Sequence, residues 1–326
     1  MAGPVTEPRN PAVGERRGPN GELSSWSDAT LVSAALAYAA FIGFLTLLHD
    51  EPITPDVLLV AAGFALVFLV RSRLTLLREW TPFLVLFLAY ELMRGLADDV
   101  GLPVHVGDVA DLERALFAGR LPTAVLQQWL HPMSGVDWLA VAGTVVYMLH
   151  FALPLATALL LWRMRPRLFH PYLVALILVS FAGFVTYLLL PVAPPWLAAE
   201  LGEVGAAAGE PAVTYLKPTA FDDLVGLVGL DGSNLYDVAF TSLNANPVAA
   251  FPSLHAAYPF LTFLVLRRAF GRLGWLALAY FAFVAFTIVY TADHYVVDVV
   301  GGVVYALAAY ALMWWLGRER MNGLSR

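Results

Sequence analysis

Long apolar stretches alternate along the chain with polar joints: Thr30 to Leu48, Val57 to Val70, Pro82 to Ala97, Trp138 to Trp162, Pro171 to Leu190, His255 to Leu266, Trp275 to Tyr290 and Tyr295 to Leu316. Several approach or exceed the roughly 20 residues that a helix needs to cross the hydrocarbon core of a bilayer. The pattern predicts an all-α fold, a polytopic membrane helical bundle of about eight transmembrane helices.

Two polar stretches, Asp98 to Asp137 and Pro191 to Pro252, are too long to be mere connections, and loops of that kind tend to carry function. Within the first, VADLERALFAGRLPTAVLQQWL mixes apolar and charged residues at helical spacing and breaks at Gly119 and Pro122. Short helices lying at the membrane interface are expected there, with a lid that never touches substrate as the plainer reading. The second begins LLLPVAPPWLAAE, where Pro194 and Pro195 are expected to end the preceding helix and Trp196 to anchor at the headgroup level. The first 29 residues are rich in Gly, Pro, Ser and charge and lack an apolar run after a basic start, which predicts a disordered cytoplasmic tail and not a signal peptide. The expected organisation is therefore a tail over 1–29, one membrane catalytic domain over 30–316 with its core at 171–316, and a short cytoplasmic tail over 317–326.

Composition agrees: 60% of the 326 residues are hydrophobic and 13% are charged, with a mean hydropathy of +0.71, far from a soluble domain. Charge adds an orientation, because cytoplasmic loops collect arginine and lysine. With the N-terminus inside, Arg9, Arg16, Arg17, Arg71, Arg73, Arg78, Arg163, Arg165, Arg167, Arg267, Arg268, Arg272, Arg318, Arg320 and Arg326 fall on one side, fifteen of the 19 basic residues. The opposite loops are acidic, from Asp50 and Glu51 through Asp98 and Glu113 to Asp222 and Asp237. Both termini are expected to be cytoplasmic, in a multi-pass protein of the cell membrane. Cysteine is absent, which rules out disulfides and thiolate metal sites.

The candidate chemistry stands in two short motifs, FPSLHA at Phe251 to Ala256 and ADHYVVD at Ala292 to Asp298. Ionisable groups are expensive inside a bilayer, and those that persist usually face a cavity where they act. His294 and Asp298 are four apart, so on a helix they share a face and the carboxylate can orient the imidazole. Ser253 precedes an apolar run as an expected N-cap, and the helix N-terminus it opens, with its free N–H groups, hydroxyl and the His255 imidazole, can cradle a phosphate. Together these predict two-step phosphoryl transfer: His294 attacks phosphorus, Asp298 fixes its tautomer, and His255 protonates the leaving oxygen and later deprotonates the acceptor. Both histidines fall at outer ends of predicted helices, which places the site at the extracytoplasmic face.

Such chemistry needs cations near the phosphate. Arg94 and Lys217 are the candidates, although Arg94 has Glu91 and Asp98 nearby as plain ion-pair partners and Lys217 has solvent. Gly301 and Gly302 would let the two histidine-bearing helices pack closely. His150 with Tyr147 is read as a hydrogen-bonded core pair, with a cavity lining as the alternative. Two histidines and a carboxylate also match a metal-ligand set, and satisfied structural histidines are the bland alternative. A non-enzymatic lipid transporter or scramblase is the competing class, for which polar residues through the full bilayer depth are expected.

PSLH followed by HYVVD resembles the second and third signature motifs of the type 2 phosphatidic acid phosphatase superfamily, and more closely its inositol phosphorylceramide synthase branch. The resemblance covers roughly Pro171 to Leu316, including PPW at Pro194 to Trp196. It implies a helical bundle with an outward-facing site and no metal or other cofactor, with His294 as phosphohistidine nucleophile, Asp298 as its orienting carboxylate and His255 as acid/base. It further implies that the partners are a phosphorylated lipid or polyprenyl substrate and membrane lipids, and no nucleic acid. Two departures stand out: the broader superfamily carries an arginine six residues before the nucleophile, where this chain has Ile288, and a Lys/Arg-Pro motif where this chain has PVAPPW. The inositol phosphorylceramide synthase branch similarly lacks these arginines, so phosphate binding is expected to fall to other donors.

Overall fold

The computed structural model describes Trp80 and residues 102–227, 229 and 247–323. The first three predicted spans, the N-terminal tail and Arg94 lie outside the described residues. All described residues fall in one compact unit, Leu45–Arg326.

The first described helices are α1 (Asp108–Leu116) and α2 (Pro122–Leu130), where the interfacial pair is expected. The break between them has the predicted cause: Ala118 and Gly119 take left-handed φ values of 55° and 79°, and Pro122 opens α2 at its first position, where a missing N–H costs nothing. Both helices leave large apolar side chains exposed, among them Leu112, Leu116, Trp129 and Leu130. α3 (Trp138–Met164) is capped by Asp137, whose carboxylate accepts from the N–H groups of Leu139 and Ala140. It bends by 48° between Trp138–His150 and Ala152–Met164; Pro154 has no N–H for the His150 carbonyl four residues back, and a kink follows.

α4 (Pro166–Leu189) begins five residues before its predicted start, because Pro166 is accommodated in the first turn. It ends before Pro191, and Pro195, expected to close this helix, instead opens the next one, α5 (Pro195–Glu200). α6 (Lys217–Gly226) follows in the second long loop. α7 (Leu254–Phe270) and α8 (Trp275–Tyr290) form an antiparallel hairpin around the short turn Gly271–Gly274, with Phe260 against Phe281 at 5.0 Å and Phe263 against Trp275 at 5.6 Å. α9 (Val296–Gly323) completes the chain.

The described residues are mostly helical. Among the described residues three stretches are long and apolar enough to cross a membrane, Pro166–Leu189, Leu254–Tyr290 (the α7–α8 hairpin taken together) and Val296–Trp315, and α3 makes a fourth where its two bent halves count as one span. Their packing follows the rules of apolar solvent, where close contact and hydrogen bonds replace hydrophobic drive. One face of α4 buries Phe169, Tyr172, Leu176, Val179, Gly183 and Tyr187, while Val174, Val185 and Leu189 point outward. Polar rungs cross between helices: Tyr172 with Thr262 at 3.0 Å, Ser180 with Tyr258 at 2.7 Å and Thr186 with Tyr305 at 2.6 Å. At the end of the bundle away from the histidines, Arg165 Nε donates to the Ala269 carbonyl at 3.0 Å, which gathers two of the predicted arginine clusters at one end.

Candidate active site

The PSLH turn is held from two sides. Tyr187 of α4 donates its hydroxyl to the Pro252 carbonyl at 2.7 Å, and Ser253 N–H donates to the Asp298 carbonyl at 3.0 Å. Ser253 is the N-cap of α7, as expected, its Oγ accepting from Ala256 N–H at 3.3 Å. The glycines of α9 make this approach feasible. A Cβ on Gly302 would collide with the Ser253 carbonyl, and one on Gly301 would stand 2.6 Å from the Phe251 ring. Both predicted small-residue positions therefore bring the two histidine-bearing segments together.

His294 is not in the helix: it lies in the turn between α8 and α9, two residues ahead of Val296. Its ring still meets Asp298, with Nδ1 3.4 Å from Oδ2. The same Oδ2 accepts from Tyr295 N–H at 2.8 Å, the back-bond of an N-terminal capping arrangement, so Asp298 both starts the helix and faces the imidazole. His294 Nε2 then lies 3.0 Å from His255 Nδ1, and His255 Nε2 lies 2.7 Å from the Tyr147 hydroxyl. His294 and Asp298 are buried and His255 is half-buried. His150 stacks on Tyr258 and lies 4.6 Å from the His255 ring. Tyr147 is therefore drawn to His255 by its hydroxyl, where the sequence predicts a bond to His150. Among the described residues no cluster of three or more His, Cys, Asp or Glu has the geometry to hold a metal ion, the trio included.

Lys217, expected either at the phosphate or in solvent, is 1% exposed. Its Nζ pairs with Asp293 Oδ1 at 2.7 Å and sits 3.0 Å from the centroid of the Tyr147 ring. Burial pushes its pKa down to about 8, against the opposing pull of Asp293. The loop that delivers it is fastened by Gln127, whose Nε2 donates to the carbonyls of Thr214 and Tyr290, each at 2.8 Å, and whose Oε1 accepts from Thr214 N–H at 2.8 Å. Trp196, expected at the headgroup level, stacks on Tyr215 at 5.1 Å, and its backbone N–H donates to the Ala292 carbonyl at 3.1 Å.

Three residues to which the sequence gives no part in the chemistry belong to this cluster. Asp293 partners Lys217, and Tyr147 partners His255. Glu113 of α1 is fully buried and its Oε1 accepts from Val296 N–H at 2.5 Å and Val297 N–H at 3.3 Å, at the N-terminus of α9. Burial pushes its pKa up to about 7; the two N–H bonds act in the opposite direction and the Asp298 charge adds to the rise. Arg114, beside it, forks onto Glu210 at 2.6 and 2.9 Å, tying α1 to the second loop. Ile288, at the position where the broader superfamily carries arginine, is buried in an apolar cluster with Val284 and Val289.

The family model of the PAP2 superfamily matches residues 108–312. The chain is 28% identical over 247 residues to a phosphoinositol dihydroceramide synthase of Bacteroides thetaiotaomicron, covering 72% of this chain and 74% of that protein. It is 26% identical over 212 residues to the inositol phosphorylceramide synthase catalytic subunit aur1 of Schizosaccharomyces pombe, covering 64% of this chain and 46% of that protein. No solved structure matches the chain.

Proposed function

Because this chain belongs to the PAP2 superfamily and is a membrane phosphatase or phosphotransferase of lipids, we propose that it transfers a phosphate or phosphoalcohol group of a lipid or polyprenyl substrate through a phosphohistidine at His294. The observation that carries this is the alignment of Asp298, His294 and His255, at 3.4 and 3.0 Å. The carboxylate faces Nδ1 of His294 and leaves Nε2 for in-line attack, and His255 stands where the leaving oxygen must take up a proton. The phosphohistidine then passes its group to an acceptor whose proton returns to His255. No step calls on a metal or other cofactor.

The phosphate oxygens would be received by the N–H groups opened at Ser253 and by positive charge from Lys217, with Arg94 as a further donor. This fits a chain with Ile288 in place of the arginine. The names of both relatives favour phosphoinositol as the transferred group and a ceramide as the acceptor. The basic cluster around Arg165 and Arg267 at the opposite end of the bundle supports an extracytoplasmic site in the cell membrane, with both termini inside. The catalytic unit would run over 30–316 between cytoplasmic tails 1–29 and 317–326, and its site takes Tyr147 and Glu113 from ahead of the 171–316 core.

The test is product formation from phosphatidylinositol and dihydroceramide by detergent-purified protein in chelator, compared with His294→Ala. A new inositol-bearing sphingolipid without free inositol phosphate marks a transferase, and water-dependent release marks a hydrolase. In either case the mutant is inactive and label from the donor is trapped on wild-type His294 as an acid-labile adduct. Undiminished turnover in His294→Ala would sink the phosphohistidine mechanism, whereas a wild type that forms no product from any lipid phosphate would leave the transporter or scramblase class in its place.

A further inference from the structure

The negative charge of Asp298 favours one direction for every proton along the line of rings that ends on it. His294 Nδ1 lies 3.4 Å from Oδ2, too far and too poorly aligned for a hydrogen bond but close enough that the carboxylate favours the tautomer with the hydrogen on Nδ1 and the lone pair on Nε2. That lone pair faces His255 Nδ1 at 3.0 Å, which must then carry its own hydrogen, leaving His255 Nε2 as an acceptor. The Tyr147 hydroxyl, 2.7 Å away, donates to it. The neutral N–H of an imidazole is a weak acid unless a proton reaches the other nitrogen as it departs. Tyr147 holds that proton, and its ring lies beneath a buried ammonium, Lys217 Nζ at 3.0 Å from the centroid, fixed by Asp293.

We propose that Tyr147 is the proton reservoir of the site: as His255 Nδ1 protonates the leaving oxygen, the Tyr147 hydroxyl protonates His255 Nε2, and the phenolate formed is held by Lys217. The proposal rests on His294 as nucleophile and His255 as acid/base, and it makes Tyr147 a positioning residue that acts through His255. In the first half-reaction the His294 Nε2 lone pair forms the N–P bond. The P–O bond breaks, its electron pair leaves on the alcohol oxygen, and that oxygen takes the His255 proton. In the second, the acceptor oxygen attacks phosphorus and its proton goes to His255 Nδ1. His255 Nε2 returns a proton to the phenolate, and the N–P electron pair returns to His294. No proton is gained or lost over the cycle. A cation over the face of a ring whose oxygen becomes negative is stabilised twice, by the ring quadrupole and by the new charge, in a site of low dielectric. Lys217 thus acts on phosphate chemistry from behind the tyrosine.

The experiment compares two donors that differ in their leaving group. Phosphatidylinositol releases an alkyl alcohol that needs a proton; p-nitrophenyl inositol phosphate releases a nitrophenolate that does not. In the full-length protein Tyr147→Phe is expected to lose about 100-fold in kcat on phosphatidylinositol, the scale of general acid catalysis, and at least about tenfold less on the nitrophenyl ester. Equal losses on both esters would make Tyr147 a packing residue and overturn the relay. Lys217→Gln, which also removes positive charge from the phosphate, is expected to slow both esters but phosphatidylinositol at least about tenfold more, and it carries the test if Tyr147→Phe does not purify folded. His294→Ala, run alongside, separates the two ideas: its inactivity on both esters keeps the nucleophile whatever Tyr147→Phe shows, whereas retained turnover removes the nucleophile itself.

Discussion

Glu113 stabilises the fold when protonated and strains it when ionised, and this makes a quantitative prediction. Its carboxyl is buried against the first turn of α9 and has a pKa of about 7 in place of the ordinary 4.5. A group whose folded pKa is raised contributes stability that is fully present below the unfolded value and is lost as pH climbs through the folded one. At about 1.4 kcal/mol per pH unit the gap from 4.5 to about 7 amounts to roughly 3–4 kcal/mol. Glu113→Gln keeps an oxygen for Val296 and Val297 N–H and removes the ionisation. The wild type should therefore lose several degrees of Tm in detergent between about pH 5 and about pH 8, while Glu113→Gln stays level and becomes the more stable protein at the upper end. Glu113→Ala should be less stable than both near about pH 5, because two helix N–H groups lose their acceptor, at about 1–3 kcal/mol for each left unpaired. A Glu113→Gln protein that melts below wild type at about pH 8 would refute the assignment of a buried, protonating carboxyl.

Gly302→Ala should cost about 1–3 kcal/mol or prevent folding, since its methyl would occupy the position of the Ser253 carbonyl; Gly226→Ala, with open space at its Cβ, should be neutral, and denaturation midpoints compare the two. Turnover should fall as pH rises through about 8, where Lys217 loses the charge that faces Asp293 and the Tyr147 ring, and Lys217→Arg should move that limb upward in a pH–rate profile. Arg114→Lys, which replaces a two-pronged contact on Glu210 by a single point charge, should cost about 1 kcal/mol and loosen α1 from the second loop, seen as faster hydrogen exchange there.

The described helices were legible because their signals are local. Apolar runs over Trp138–Met164 and Trp275–Tyr290 announce themselves, and Gly119 with Pro122 marks the break between α1 and α2. The meeting of His255 with His294 was legible from their shared place at helix ends, and Ser253 as a cap from its place before an apolar run. What escaped was the role of residues whose partners are distant in the chain. Tyr147 and His255 are 108 residues apart, and Glu113 and Val296 are 183 apart, so no spacing rule connects them. Glu113 reads locally as one more charge on an interfacial helix, and only the helix start it touches gives it a role. Asp293 was in view, next to His294, yet its partner comes from a loop whose path is decided by Gln127 and by the Trp196–Tyr215 stack. The starts of α4 and α5 escaped for a different reason: a proline ends one helix or begins another according to which side of it the chain turns.

The first two turns of α9 supply four contacts to the site: the Asp298 carboxylate for His294, the Asp298 carbonyl for Ser253, the Val296 and Val297 N–H groups for Glu113, and the Gly302 gap for the PSLH turn. A nascent chain that has inserted everything up to Tyr290 has none of these contacts. It would hold His255 without His294 or its orienting carboxylate, and a PSLH turn without its seat. On the proposed mechanism the site is therefore silent until the first turns of α9 are in place, so a truncation ahead of Gly302 abolishes chemistry even where the rest of the bundle survives.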